Sequence, residues 1–566
     1  MTASVRPIPT SFVPPDADLG DAKIADSLFD ELERRPIDTP GRLERWVLDA
    51  EELRAAVDEA GVVRQVALAR RTSDAGAREA YERYLEEVRE MATRRGKALD
   101  AKYLASPARA RLDRDRWFVF DREVETRDAL YREENVPLQT EVEKAVQDYD
   151  RLVGSMTVEW NGEETTIPRM AVHLHDPDRS VREAAWRTVS RRRVADAPEL
   201  DRLFDALAGL RARLAANAGF ADYQHFRFRE LGRFDYTPAD CRRFRDTVER
   251  VIVPLRQAAN EDRRRRLGVD RLRPWDQFVD PDGLPPLAPF SEIPALVGGC
   301  RSILERLDPE LAGQFEFLWS SELLDLDNRK DKAPGGFMED YPLRRVPFIF
   351  MNATGLDDDV RTLLHESGHA FHSLASRAEP LYAYRRAPME FAEVASMSME
   401  LLAIPHLEVF YAPPERRRSI VDQLRRILDT FVLTAVGDGF QDWLYFSPGH
   451  TPAERGRAWV DLQERFDPGL DWSGLEDLRP LTWQRVLHFY HAPFYYIEYA
   501  FAQIGALQVW LRQQEDARRA IEGYRKALAL GGSRPLPDLF SAAGARFAFD
   551  EATLRPLAAA IERGAR

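Results

Sequence analysis

The sequence predicts a mainly α-helical protein with one small β-sheet, and three observations indicate this fold class. Apolar residues recur at helical spacing through the first 150 residues and through much of residues 180–265. An Asn-Gly pair between two β-prone runs predicts a short hairpin near residues 157–167. The apolar run at residues 348–351 predicts one buried strand, which follows a turn at Pro334-Gly335-Gly336.

The chain is long enough to bury a large core, because it has 566 residues of which 44% are hydrophobic. Its composition suggests three parts along the sequence. Residues 1–20 hold several prolines and are expected to form a tail. Residues 21–190 form an N-terminal helical region that includes the hairpin, and residues 191–566 form a second region that holds the motifs described below.

One helix of the N-terminal region can be placed from its cap. Ser73 and Asp74 belong to the residue types that cap helices, and five apolar positions follow them at helical spacing. These positions are Tyr81, Tyr84, Leu85, Val88 and Met91. Later in the chain, Pro-rich stretches at residues 273–294 and 448–452 predict connections between helices.

The net charge of the chain bears on its binding partners. The formal charge is −14 at neutral pH, so no overall field attracts nucleic acid or an anionic membrane. The arginine runs at residues 263–266 and 416–418 lie in helix-like, charge-rich surroundings, which favours solvated helix faces over binding surfaces. No apolar run approaches the length of a membrane span. We therefore expect neither nucleic-acid nor membrane binding.

Cysteine usage and the N-terminal sequence bear on the compartment. Cys241 and Cys300 are the only cysteines, and the single disulfide that they could form would not stabilise so long a chain. Residues 1–20 contain no apolar segment typical of a secretory signal. These features favour a cytoplasmic location, and they specify no oligomeric state.

A helix that begins near residue 357 is predicted to carry two histidines one turn apart. Asp357, Asp358 and Asp359 supply an N-cap and negative charge for its first turn. His365 and His369 then lie on the face roughly opposite the apolar stripe of the helix. That stripe consists of Val360, Leu363, Leu364, Phe371 and Leu374. Histidines on a face away from the core stripe need another partner, which a shared metal ion would provide.

The spacing of the two histidines is typical of a catalytic zinc site. They are four residues apart, so both imidazoles can reach one zinc ion at about 2.0–2.1 Å. Glu366 follows the first histidine and lies beside the metal, where it can take a proton from the attacking water. The alternative is a surface helix with satisfied histidines, although a chance match to this pattern is rare in a chain with so few histidines.

A third protein ligand is expected on a second helix that begins near Pro388. Glu390, Glu393 and Glu400 share one face of that helix with Met397. Carboxylates among apolar residues are costly to bury unless they are paired or bind a metal. We choose Glu393 as the third ligand of one zinc ion per chain, and we assign Glu390 and Glu400 as hydrogen-bond acceptors for the ligand imidazoles.

Two further residues of the motif helix have alternative interpretations. One interpretation makes His372 a fourth ligand, and the other gives it a packing or hydrogen-bonding role behind the ligands. The second is favoured because a catalytic zinc ion needs an open position. Gly368 costs about 1 kcal/mol in a helix interior relative to alanine. Close approach of another backbone or of a substrate would explain this glycine, and a merely tolerated glycine is the alternative.

These motifs resemble those of the oligoendopeptidase F and thimet oligopeptidase family of zinc peptidases. Residues 365–372, His-Glu-Ser-Gly-His-Ala-Phe-His, match the family's HExGHxxH pattern, and Glu393 falls where the family has its glutamate ligand. The resemblance spans about residues 110–560. Similar segments elsewhere are residues 173–188, 274–276, 347–352 and 391–396.

The resemblance implies a two-lobed helical body with a deep central channel and the zinc ion on its floor, where only short unstructured peptides could reach it. The strand at residues 348–351 would offer backbone groups to an extended substrate. The family also has a cluster of histidine and tyrosine late in the chain. Its counterparts here are His488 and Tyr499, with Tyr496 as the next choice, and they would donate hydrogen bonds to the oxyanion that forms when water attacks the scissile carbonyl. The thimet branch has a glycine-rich loop where residues 491–493 stand here, so the register of this cluster is open by one residue.

The predicted function is that of a zinc-dependent oligoendopeptidase that acts on short peptides, with residues 191–566 as its catalytic region. A dipeptidyl or carboxypeptidase would use the same zinc chemistry, but it needs a fixed cation for the terminal carboxylate, which the sequence does not locate. A non-catalytic peptide-binding protein is the other alternative. Such a protein would have no use for Glu366 beside the metal.

Overall fold

The computed structural model describes residues 9–333 and 335–565, and helices make up most of this part of the chain. Residues 1–8 of the predicted tail and Pro334 of the predicted turn lie outside the described residues. The mainly helical fold class is confirmed. In chain order the α-helices are α1 Ala22–Arg34, α2 Pro40–Arg70, α3 Ala75–Arg83, α4 Glu90–Ala105, α5 Arg114–Leu130, α6 Asn135–Gly154, α7 Ile167–Met170, α8 Arg179–Ala195, α9 Ala197–Asn217, α10 Tyr223–Glu230, α11 Pro238–Val251, α12 Val253–Arg266, α13 Ile293–Leu307, α14 Pro309–Ser320, α15 Asp357–Ser376, α16 Tyr382–Arg385, α17 Met389–Leu402, α18 Pro413–Phe446, α19 Pro452–Phe466, α20 His488–His491, α21 Tyr496–Glu515, α22 Ala517–Leu528, α23 Leu536–Ala542 and α24 Glu551–Ala565.

The contacts between residues divide the chain into two units, each assembled from three segments of sequence. Unit 1 consists of the chain up to Asp128, Leu287–Ser419 and Ala502–Phe547. Unit 2 consists of Ala129–Pro286, Ile420–Phe501 and the chain from Ala548. The division of the sequence at residues 190 and 191 stays a prediction, and the predicted central channel stays an expectation from the resemblance.

The helix predicted after Ser73 begins as α3 of unit 1 and continues as a π-helical turn at Tyr84–Arg89 and then as α4, so only Tyr81 of the five predicted apolar positions lies in α3. Its N-cap is Asp74, whose carboxylate accepts the backbone N–H of Ala77 at 3.0 Å. This helix belongs to an N-terminal group whose buried side chains form one apolar cluster. Its largest members are Trp46, Trp117, Tyr84, Tyr103 and Tyr384.

The predicted hairpin forms in unit 2, from β1 (Thr157–Trp160) and β2 (Glu163–Thr166), which pair in antiparallel fashion. Asn161 and Gly162 occupy the turn with φ values of 54° and 84°. Positive φ at both turn positions is the geometry that the Asn-Gly pair favours in two-residue hairpins.

The predicted strand lies at the centre of the second sheet, in unit 1. This sheet has the order β3-β5-β4, with β3 at Leu324–Asp327, β4 at Phe337–Tyr341 and β5 at Val346–Ala353. The strand β5 pairs with β3 in parallel and with β4 in antiparallel fashion. Its residues 348–351 are buried, as an apolar run flanked by two strands should be.

This topology corrects one expectation. The strand at residues 348–351 cannot offer its backbone to a substrate, because its hydrogen-bonding groups already face β3 and β4. The exposed edge groups belong to β3 and β4 instead, since these strands have a partner on one side within the described sheet.

Two segments named in the resemblance meet in unit 2. Asp276 is fully buried, and its carboxylate pairs with Arg182 at 2.9 Å and with Arg179 at 2.8 Å. Burial alone would raise the pKa of Asp276, but the hydrogen bonds from the two arginines hold it below the usual value. One ion-pair cluster therefore joins residues 173–188 to residues 274–276 in this chain.

Candidate metal centre

The helix α15 positions the two histidines of the motif. It begins at Asp357, and the N-cap position is held by Leu356, so the prediction of an aspartate N-cap was wrong. The aspartates lie in the first turn, where the Asp359 carboxylate accepts the backbone N–H groups of Thr354 at 2.8 Å and Leu356 at 2.9 Å. These bonds tie the start of the helix to the end of β5, from which only residues 354–356 separate it.

The second predicted helix forms as α17, with Pro388 at its N-cap position. It packs along α15, and the two backbones come close at Gly368. A Cβ atom at this position would lie 2.6 Å from the Cα atom of Ser396 and 2.7 Å from the carbonyl oxygen of Ala395. Glycine is therefore required because the backbone of α17 occupies that space, which was one of the two explanations that the sequence offered.

This close crossing brings three candidate ligands together. One ligand atom each from His365, His369 and Glu393 lies within 4.8 Å of the other two. The Oε2 atom of Glu393 is 3.4 Å from Nε2 of His365 and 3.9 Å from Nε2 of His369. Ligands about 2.1 Å from a tetrahedral ion lie about 3.4 Å apart, so the spacing of these atoms fits one zinc ion.

The electrostatics of the three groups favours a cation between them. Burial opposes a charge on His365, but the carboxylates of Glu393 and Glu400 outweigh it and raise the pKa of this imidazole well above its usual value. Burial would likewise raise the pKa of Glu393, but the hydrogen bond with His365 lowers it to about 2. Two imidazoles with one ionised carboxylate form a ligand set that zinc prefers, and the ion would take the place of the proton on His365.

The groups behind the ligands are also in place. Nδ1 of His365 is 2.7 Å from Oε1 of Glu400, which fixes the ring so that its Nε2 atom faces Glu393. This contact agrees with the acceptor role predicted for Glu400. The hydroxyl of Ser396 donates to Oε2 of Glu393 at 3.1 Å, a contact that the sequence analysis missed. Glu390 is buried in the first turn of α17, and its acceptor role stays a prediction.

Glu366 lies beside the three candidate ligands, with 8% of its surface exposed. Burial raises the pKa of its carboxyl group to about 7, and the nearby Glu393 and Glu400 add to this effect. The backbone of Met338, on β4, acts in the opposite direction and lowers this pKa to a smaller extent. A carboxyl group with a pKa near neutrality can both take and return a proton.

His372 has a packing role. Burial lowers its pKa to about 3, so the ring is neutral, and it packs edge-on against Phe391 with ring centroids 5.9 Å apart. It lies outside the group of three ligand atoms found in the described residues.

The late cluster forms within unit 2, at α20 and the start of α21. The ring of His488 lies 4.8 Å from that of Tyr496 and 6.0 Å from that of Tyr499, measured between centroids, and both contacts are edge-on. Tyr495 stacks on the same imidazole at 5.8 Å, which the sequence analysis had not included. The three predicted residues are therefore neighbours, and their action on a substrate stays a proposal.

Comparisons with known proteins agree on one family. The profile of Peptidase family M3 matches residues 172–559. The oligoendopeptidase F homolog of Borreliella burgdorferi is 29% identical over 204 residues, 34% of this chain and 33% of that protein. The oligopeptidase PepF of Bacillus subtilis is 25% identical over 215 residues, 35% of this chain and 30% of that protein. The aligned stretches thus span about a third of these curated relatives.

Solved structures match over nearly the whole chain. An X-ray structure assigned to oligoendopeptidase F has a TM-score of 0.87 and 29% identity, and the match covers 96% of each chain. PZ peptidase A with an inhibitor has a TM-score of 0.86 and 27% identity, over 98% of each chain. Among residues 9–333 and 335–565, none of the helices combines the length and apolar character that a membrane crossing requires.

Proposed function

This chain belongs to Peptidase family M3, a family of metallopeptidases, and on that premise we propose that it is a zinc-dependent oligoendopeptidase. It hydrolyses internal bonds of short, unstructured peptides. The observation that carries the proposal is the group formed by His365, His369 and Glu393 with the buried Glu366 beside it. Every proposed ligand lies in residues 191–566, which we propose as the catalytic region.

The three ligand residues would hold one zinc ion and leave its fourth position for substrate or water. When bound, zinc supplies the Lewis acidity that makes water a nucleophile at neutral pH and polarises the scissile carbonyl. Glu366 accepts a proton from the attacking water and returns it to the leaving amine. Its burial beside the three candidate ligands supports this role, because the carboxyl group is held next to the position where water would be activated.

The edge strand β4 is the element that we propose to align the substrate. This strand packs against α15, and the backbone of Met338 influences the pKa of Glu366, so the strand runs past the proposed base. An extended peptide that pairs with a strand edge gains backbone hydrogen bonds whatever its side chains are. Such binding suits a peptidase that accepts peptides of many sequences.

His488, Tyr496 and Tyr499 are proposed to stabilise the oxyanion that forms as water attacks. Burial lowers the pKa of His488 and raises the pKa of Tyr496, so the imidazole is neutral and the phenol is protonated. A protonated phenol is a hydrogen-bond donor, as this role requires. We also propose a cytoplasmic location, with support from two cysteines that are buried and unbridged.

The experiment that tests the proposal is a Glu366→Gln variant assayed on a quenched fluorescent peptide. We expect a loss of about 10²- to 10⁴-fold in kcat, because the general base is removed while the ligands stay in place. Zinc content, measured by elemental analysis, should remain that of the wild type. The matched control is Asp358→Asn, since this carboxylate lies on the same helix with its side chain 61% exposed. Undiminished cleavage by the Glu366→Gln variant would contradict the assignment of Glu366 as the general base.

A further inference from the structure

A buried arginine of unit 2 has no carboxylate partner. Arg211, on α9, is 1% exposed. Its guanidinium forms no ion pair within residues 9–333 and 335–565, and it donates instead to three neutral oxygen atoms. These atoms are the hydroxyl of Tyr445 at 2.9 Å, the backbone carbonyl of Phe489 at 3.0 Å and the backbone carbonyl of Tyr490. A buried charge without a counter-charge is costly, so its presence needs an explanation.

Two other arginines of unit 2 are buried to the same extent, and both have a carboxylate partner. Arg182 is 1% exposed and pairs with Asp276 at 2.9 Å. Arg455 is 0% exposed and pairs with Asp201 at 2.8 Å. Arg211 differs from them because its positive charge is directed at the backbone of one short helix, which is α20.

The position of the two carbonyls in α20 explains this contact. Carbonyl groups in the last turn of a helix have no partner within the helix. The carbonyl of His488 accepts the backbone N–H of Ala492 at 2.9 Å, whereas those of the next two residues accept from Arg211. A planar guanidinium can reach two successive carbonyls at once, and a cation is favourable at a helix C-terminus. Arg211 thus fixes the direction of the helix that carries His488.

The other side of the turn is held by different side chains. Arg233, which is 4% exposed, donates to the carbonyl of Phe494 at 2.6 Å and pairs with Glu498 at 2.6 Å. The backbone N–H of Phe494 donates to the side-chain oxygen of Gln441. These contacts hold the start of α21, where the tyrosines lie, without Arg211. The contribution of Arg211 is therefore specific to the helix that carries the imidazole.

We propose that Arg211 is a positioning residue for peptide hydrolysis, which acts by holding His488 against Tyr496 and Tyr499. This inference rests on the proposed peptidase function and on the oxyanion role of that cluster. Groups that stabilise a transition state must be held within about 0.5 Å of their productive geometry. Arg211 is buried behind α20, so it acts through His488 and not on the substrate.

The kinetics of an Arg211→Lys variant test the inference. Lysine keeps the positive charge, but a single ammonium group cannot form the planar fork on two carbonyls. We expect kcat to fall at least about tenfold with KM changed less than about twofold, because a shift of about 1 Å in a reacting group can cost about 10²-fold. Zinc content should stay that of the wild type, since the candidate ligands lie in unit 1.

The matched control is Arg182→Lys. Arg182 is equally buried in the same unit and also donates to backbone carbonyls, those of Asp176 at 2.8 Å and Pro177 at 2.9 Å, which belong to a different segment. Its kcat should stay within about twofold of the wild type even where urea denaturation shows an equal loss of stability. An equal loss of kcat in both variants would overturn the inference, because stability alone would then explain it. A change confined to KM would overturn it as well.

A double variant tests the route of the effect. If Arg211 acts only by placing His488, then Arg211→Lys should change kcat by less than about twofold in a His488→Ala background. A full loss in that background would overturn the inference, since independent effects multiply. If Arg211→Lys does not fold, Tyr445→Phe answers the same question, because it removes one acceptor of the guanidinium and keeps the ring. There kcat should fall about two- to tenfold, and an unchanged kcat would contradict the proposal.

Amide hydrogen exchange separates this inference from the proposed function. Exchange in residues 486–495 should become at least about tenfold faster in Arg211→Lys and stay unchanged in Arg182→Lys, whether or not the chain cleaves peptides. If the wild type cleaves no peptide, the proposed peptidase function fails. Unaltered exchange in Arg211→Lys, by contrast, would overturn the positioning role alone.

Discussion

The metal-binding helices of unit 1 and the segment at residues 485–499 of unit 2 position their chemistry in different ways. In unit 1, the spacing of His365 and His369 on one helix already fixes two ligands one turn apart. In unit 2, the neighbouring rings of His488 and Tyr496 come from two helices joined by an irregular turn. The comparison shows that helical periodicity can encode a site locally, whereas a turn needs support from distant residues.

That support is visible around the turn. Arg211, which is 1% exposed, donates to the backbone carbonyl of Phe489 at 3.0 Å and also to that of Tyr490. Phe494 adopts a φ of 65°, an unusual conformation for a residue with a bulky side chain. The conformation persists because Phe494 is fully buried, so packing outweighs the backbone cost.

The largest loss of activity that bears on this comparison is expected from substitution of the tyrosines in unit 2. Tyr499→Phe should lower kcat by about 10²- to 10³-fold with zinc retained, because it removes a proposed oxyanion donor and leaves unit 1 intact. Tyr496→Phe should have an effect of the same kind. Steady-state kinetics and elemental analysis measure both quantities.

Tyr495→Phe is the matched control, since this residue stacks on the same imidazole but is not a proposed donor. If Tyr495→Phe lost activity and the other two variants did not, the register of the cluster would be shifted by one or more positions.

A smaller effect is expected from the carboxylate behind the first ligand. Glu400→Gln should weaken zinc binding by about 10- to 100-fold, because the side chain that orients His365 loses its charge. Competition with a chromophoric chelator measures the affinity. Asp358→Asn again serves as the control on α15 and should leave the affinity unchanged. An unchanged affinity in Glu400→Gln would mean that the helix crossing alone orients the imidazole.

The smallest effect concerns the helix crossing itself. Gly368→Ala should lower the free energy of unfolding by at least about 1 kcal/mol, because its Cβ atom would overlap the backbone of α17. Gly313→Ala, in α14, is the matched control, since open space surrounds that position. There alanine should stabilise the helix by about 0.5–1 kcal/mol. Urea denaturation measures both, and a stabilised Gly368→Ala protein would contradict the close approach.

The sequence predicted well those features that depend on local periodicity. The hairpin at Asn161 and Gly162, the strand β5 and the helix that carries His365 all formed where the pattern placed them. It failed where the outcome depends on partners distant in sequence. The apolar character of residues 348–351 could not tell a central strand from an edge strand, because either would be buried on its faces.

The same limit applies to the candidate site. The sequence left open whether another backbone or a substrate comes close to Gly368 or whether the glycine is merely tolerated, and only the crossing with α17 decides for the backbone. No pattern in the sequence indicated that β4 would fold back beside α15, the helix that carries Glu366.

The most direct test of the central claim is the zinc content of a Glu393→Gln variant, measured by elemental analysis beside the wild type and Glu366→Gln. Glu393 and the two histidines present one ligand atom each to a common point, whereas Glu366 is proposed to stand beside it. We expect one zinc ion per chain in the wild type and in Glu366→Gln, and a large loss of zinc in Glu393→Gln. Full zinc content in Glu393→Gln, or none in the wild type, would contradict the assignment of this site.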